Sequence, residues 1–165
     1  MPTRVPNPCE QLLARVADIR AAWQSASADA LRTARIDDRV AATPEDVVRC
    51  AISAGTCYAA PIGRTQACVS IAADYGARMR ALGVAHDELL GVLGDLRCAI
   101  DEHVAALLGD GDVAARIMTR VDAMLRLMAR VAVTGYHRRE HEARGSWSQA
   151  LDRIVAEHDG AAPHA

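Results

Sequence analysis

His137-Arg138-Arg139-Glu140-His141 is the stretch of this chain whose spacing most directly spells a chemistry. Two imidazoles at i and i+4 share one helical face and can hold a zinc ion, provided a carboxylate ligand arrives from elsewhere. His137 and His141 are therefore the metal candidates. No protease framework surrounds the motif, and Glu140 and Glu142, flanked by arginines, read more simply as the solvated end of a helix. A short motif without context is weak evidence, so no metal is expected.

The remaining reactive types are scattered. His86 precedes the acids Asp87 and Glu88 at a helix start, where a capping or surface role suits it. His103 follows Asp101-Glu102 beside Val104, on what reads as a solvated face. Either could in principle serve a haem, yet a lone histidine is more often structural. Met118, Met124 and Met128, with Met79, suit core filling better than a promiscuous groove. Gly91-Val92-Leu93-Gly94 and Gly109-Asp110-Gly111 are too short, and lack the preceding strand, to cradle a phosphate. Ser53, Ser70, Ser146 and Ser148 have no G-x-S-x-G setting. No catalytic constellation emerges, and a non-enzymatic protein is expected.

Composition narrows the class. With 165 residues, 51% hydrophobic and rich in Ala, Leu and Val, the chain has enough material for one apolar core. There is no Phe, so aliphatic side chains, Met and small residues must do the packing. All 19 basic residues are arginine, which a GC-rich genome explains. A formal net charge of −2 argues against a dedicated nucleic-acid binder. Met1–Pro8 has no apolar signal region, and no run approaches the ~18 apolar residues of a membrane span, so a cytoplasmic protein without a membrane partner is expected. The five cysteines, Cys9, Cys50, Cys57, Cys68 and Cys98, show no C-x-x-C spacing and read as reduced, small core residues.

The elements that must carry these residues are helical. From Asp112 to about Glu142, Val113, Ile117, Val121, Met124, Met128 and Val131 recur at steps of four and three, while Arg116, Arg120, Arg126 and Arg130 fall on other faces. About thirty residues at 1.5 Å each make a helix roughly 45 Å long, with Gly135 its weak point. Other segments supply helices to cover it. Asn7-Pro8 starts one that carries Leu12, Val16, Ile19 and Trp23, and a shorter piece follows with Leu31 and Ile36. Thr43 caps a third, which runs into Val47, Val48, Ala51 and Ile52 and ends by Pro61-Ile62-Gly63. A helix from about Arg64 to Leu82 closes at Gly83, and another opens near His86-Asp87-Glu88. On that one, Gly91, Gly94 and Cys98 could admit a neighbouring backbone. Gly109–Asp112 is a tight reversal that pairs it with the long helix. Ser146-Trp147-Ser148-Gln149 opens a short last helix. The expectation is an all-α antiparallel bundle of about five to six helices, with residues 1–8 as an arm, 9–158 as the domain and 159–165 as a disordered tail.

Two stretches resemble a bacterial signalling family. Ala73 to Val104 (ADYGARMRALGVAHDELLGVLGDLRCAIDEHV) is similar to the middle of the N-terminal domains of RsbR-type stressosome proteins and some sensor histidine kinases. Arg78, Arg80, Gly83, Glu88, Leu89, Leu90, Leu96 and Arg97 stand at the matching places. Asp122 to Glu142 resembles the family's last helix, which ends in a Tyr and a charged run. The helix order is also similar to globin-coupled sensors, whose haem-binding His would fall at Met79; the Phe that packs on haem has no counterpart here. The resemblance implies a globin-like sensory or regulatory domain that works through a signalling protein partner and commonly as a homodimer, without a cofactor. The alternative it leaves open is a bundle that binds haem, a tetrapyrrole or another apolar cofactor. Leu125 and Leu127 lie off the main apolar line of the long helix, which makes that helix two-sided. They are the expected dimer contacts, unless the helix is central to its own bundle.

Overall fold

The computed structural model describes residues 7–28, 42–56 and 62–161, and these form an all-α bundle of eight helices. They are α1 (Pro8–Leu13), α2 (Val16–Ala26), α3 (Ala42–Thr56), α4 (Ile62–Ala81), α5 (His86–Leu108), α6 (Asp112–Tyr136), α7 (Arg138–Ala143) and α8 (Trp147–Ala161). Leu31, Ile36 and Pro61 lie outside the described residues.

The first apolar face survives a break in its helix. Asn7 caps α1 as its Oδ1 accepts the Glu10 amide at 2.9 Å, and the Glu10 carboxylate accepts the Asn7 amide at 3.0 Å. A turn at Ala14–Arg15 then separates α1 from α2, yet Leu12, Val16, Ile19 and Trp23 are all buried. Trp23 Nε1 donates to the Val92 carbonyl at 2.6 Å, and Ser27 Oγ to Asp95 at 2.9 Å, which pins α2 to α5. In α3 the expected cap, Thr43, is already helical, because the helix starts at Ala42 and takes Pro44 into its first turn, where proline costs no hydrogen bond. Likewise α4 begins at Ile62, so Ile62-Gly63 opens a helix instead of ending one.

Helix α4 ends as Gly83 adopts φ 81°, with Gly83 N–H bonded to the Arg80 carbonyl and Val84 N–H to that of Met79. This Schellman pattern brings Met79 and Val84 together in the core. The next helix opens where expected; the Glu88 carboxylate accepts the Ala85 amide at 2.8 Å. The connection Gly109–Gly111 returns the chain into α6, which packs on α5, and Arg97 spans the two to grip both oxygens of Asp122 at 2.8 and 3.3 Å.

Helix α6 is the centre: it packs against α3, α4, α5 and α8, most extensively against α4. Its buried face is Ala114, Met118, Val121, Met124, Leu125, Leu127, Met128, Val131, Ala132 and Gly135. The expected stripe is thus corrected in its first turn, where Val113 is 46% exposed and Ala114 turns inward. At the other end the helices nearly touch backbones. A Cβ on Gly76 would lie 1.8 Å from the Ala132 carbonyl oxygen, and one on Gly135 would lie 2.0 Å from that of Ala73. Gly135, like Gly76, is therefore a point of close backbone packing. Gly91 and Gly94, expected to admit a backbone, have nothing within 4 Å, and Cys98 is exposed.

The long helix is shorter than expected. It stops at Tyr136, His137 leaves helical geometry (φ −97°, ψ 18°), and α7 starts afresh at Arg138. The last helix is longer than expected: α8 carries through Asp159, Gly160 and Ala161, where the tail was to begin. Among the described residues no helix is long and apolar enough to cross a membrane.

Candidate functional site

Two places gather side chains that could meet something outside the chain: the joint between α6 and α7, and a groove between α5, α6 and α8. The joint is built by two turns that meet. Arg80, in the last turn of α4, donates through Nη1 to the Tyr136 carbonyl at 3.0 Å, a group the ending helix leaves without an internal donor. The same guanidinium reaches Glu140 at 2.6 Å and lies 5.5 Å over the Tyr136 ring. Tyr136 in turn donates its hydroxyl to the Val84 carbonyl at 2.8 Å. A hydrogen bond from its own backbone amide, and then Arg80, hold the Glu140 carboxyl below the usual carboxylate range. The break in the long helix thus has a cause: Arg80 and Glu140 satisfy the backbone and charge where the helix lets go.

His86 and His137 join this cluster. Their rings lie 5.8 Å apart, tilted by 37°, and both meet the Tyr136 ring edge-on. Asp87 lies 3.4 Å from His86 Nδ1, and Glu140 4.0 Å from His137 Nδ1. His141, one turn on, has different company: Ser146 Oγ at 3.3 Å and the Trp147 ring at 6.5 Å. Arg138 stacks 5.0 Å from that ring and pairs with Glu142 and Asp74. His137 and His141 therefore do not share the uninterrupted helical face that the zinc pattern requires. Among the described residues no group of three or more His, Cys, Asp and Glu side chains is placed to hold a metal. Chemically the joint is a latch of ion pairs and ring contacts.

The other sequence candidates are dispersed. Met79, at the position where the resemblance puts a haem ligand, is a core residue with 3% exposure. His103 is committed to its own helix, with Nδ1 2.8 Å from the Ala99 carbonyl oxygen. Leu125 and Leu127 are 8% and 2% exposed within the single chain. Both leucines are thus packed within their own chain, while Arg116, Arg126 and Arg130 keep another side of the helix exposed.

The groove was not anticipated. Leu90, Ala129, Val133, Ala150 and Ile154 line an open depression of about 420 Å³, with Thr134, Arg130 and Arg153 at its polar margin. It exists because α8 packs on α6 and α7 and leaves Leu90 of α5 43% exposed. Arg130 pairs with Glu157 across the α6–α8 boundary. In the sequence Leu90 lies off the apolar line of Leu89, Leu93, Leu96 and Ile100, and only the placement of α8 makes it the edge of a groove.

No protein-family model, curated protein or solved structure gives a match to this chain.

Proposed function

We propose that this chain is a non-enzymatic regulatory domain of bacterial signal transduction that acts by binding another protein, and that the α5–α6–α8 groove receives the partner. The observation that carries the reading is the exposed Leu90 at an apolar depression rimmed by arginines. Isolated exposed leucines are ordinary; one that continues into an apolar groove between helices has the form of a helix-receiving surface. The arginines at the rim select the occupant. An amphipathic helix would lay small or aliphatic side chains on Ala129, Val133 and Ile154 and set an acidic residue against Arg153, Arg130 being already paired with Glu157; a guanidinium fork pairs well with a carboxylate. The resemblance of Ala73–Val104 and Asp122–Glu142 to bacterial sensory domains supports the signalling role.

The test is a comparative pull-down from native lysate, with the wild-type chain and Leu90→Glu. Leu90 is exposed, so the substitution leaves the fold intact. A signalling protein retained by the wild type and lost with Leu90→Glu supports the reading, and equal capture by both removes the groove from it. An absorption spectrum of the protein purified from its own host addresses the rival reading: a Soret band stoichiometric with protein would replace a protein-binding domain with a haem or tetrapyrrole carrier.

A further inference from the structure

The break between α6 and α7 turns on one residue. Helix α6 ends at Tyr136, His137 takes φ −97° and ψ 18°, and α7 begins at Arg138. Those angles lie in the sparsely populated bridge region, which borders the α-helical one. The local sequence opposes a break here. No proline stands between Asp112 and Ala143, and Arg138, Arg139, Glu140, Glu142 and Ala143 are all strong helix formers. Arg138 also pairs with Glu142, four residues on, at 2.7 Å. What bends the chain is a contact from another element. In an uninterrupted helix the Tyr136 carbonyl would accept the Glu140 amide. Here that carbonyl takes Arg80 Nη1 at 3.0 Å, and the Glu140 amide goes to the His137 carbonyl at 3.0 Å. The Glu140 carboxylate then closes on the same guanidinium at 2.6 Å.

We propose that residues 136–138 form a two-state hinge: Arg80 on the Tyr136 carbonyl keeps it bent, and release of that guanidinium lets α6 and α7 run as one helix, which displaces α8. Local preference and tertiary contact disagree at this point, as they do in a bistable element. The latch is light. The side chains of Arg80 and Glu140 are each 40% exposed, so water and salt screen their attraction. Only one side of the hinge moves. Tyr136 precedes the break, and its hydroxyl bond to the Val84 carbonyl holds the end of α6 in either state. Beyond the break, straightening takes His137 off the His86 ring and Arg138 off Asp74. Arg138 lies 5.0 Å over the ring of Trp147, the first residue of α8, so the movement reaches that helix. Ala150, Arg153 and Ile154 of α8 wall the groove, which is remodelled with it. The hinge is a property of the chain itself; only its effect on partner binding rests on the function proposed above.

The experiment follows the isotope-labelled full-length protein by NMR and reads the backbone carbon shifts of His137 with the indole resonance of Trp147. In wild type at low salt, His137 should lie outside the helical range. Arg80→Ala, a change at a part-exposed side chain, should move His137 into that range and displace the Trp147 indole, while Trp23, buried on α2, stays in place. Sodium chloride raised to about 1 M, where the screening length falls to about 3 Å, should drive the wild type in the same direction and leave Arg80→Ala unmoved. The salt series needs no variant, so it decides the matter even where Arg80→Ala does not fold. A folded Arg80→Ala with His137 unchanged, a loss of helical shifts in α7 instead of their union with α6, or a helical His137 with Trp147 undisturbed would overturn the hinge. So would a wild type that does not respond to salt.

Discussion

Glycines with the same sequence appearance play opposite parts here. Gly76 and Gly135 sit where α4 and α6 cross, and a methyl group at either would run into a facing carbonyl. Gly91 and Gly94 are exposed on α5, with open space around them. Gly76→Ala or Gly135→Ala should therefore lower stability by about 3 kcal/mol or more, since backbone cannot yield as a flexible side chain can. Gly91→Ala and Gly94→Ala should raise it by roughly 0.5–1 kcal/mol each, as in any exposed helix interior. Denaturant unfolding of the four variants checks the contrast; equal effects at both pairs would refute the crossing. The sequence shows glycine within helical periodicity at all four positions, and nothing local tells which one meets a neighbour. That information lies in the packing angle.

At the scale of elements, the periodicity of Val121, Met124, Met128 and Val131 was enough to find the central helix, and the Gly83 and Gly109 punctuation enough to find its neighbours. The end of the long helix was not legible, because its cause is 56 residues away: Arg80 takes the Tyr136 carbonyl. Tyr136→Phe should cost about 1 kcal/mol by leaving the Val84 carbonyl without its donor. The Glu140–Arg80 pair adds a pH signature. The folded carboxyl is depressed, so the pair's contribution is present above the ordinary carboxylate range and fades as pH falls through the lowered folded value. A carboxyl-carbon NMR titration should place Glu140 below an ordinary glutamate and move it upward in Arg80→Gln. No movement in that variant would show that Arg80 does not govern the joint.

For the whole molecule, the consequence is that α6 packs against four helices of its own chain. A sequence read without tertiary contacts cannot separate a helix buried by its neighbours from one shared with a second copy, and Leu125 and Leu127 are the residues on which that choice turned. Since they are almost fully covered, Leu127→Glu should lower stability by roughly 3–5 kcal/mol, the range for an uncompensated buried charge, instead of splitting an assembly. Thermal unfolding and light scattering on the same samples separate the two: a folded variant with a halved mass would restore the leucines to an interface. The groove escaped sequence reading for a related reason. It is a gap between α5 and α8, and a gap has no residue pattern of its own.

The claim that this groove receives a partner helix is tested most directly by photo-crosslinking in the native host, with a benzophenone amino acid at position 90 and, as a control, at the exposed position 116 on α6. Position 90 should give one discrete adduct, whose foreign peptide comes from an amphipathic helix bearing acidic residues, while position 116 gives none. Adducts at 116 but not at 90, or none at either, would contradict the account.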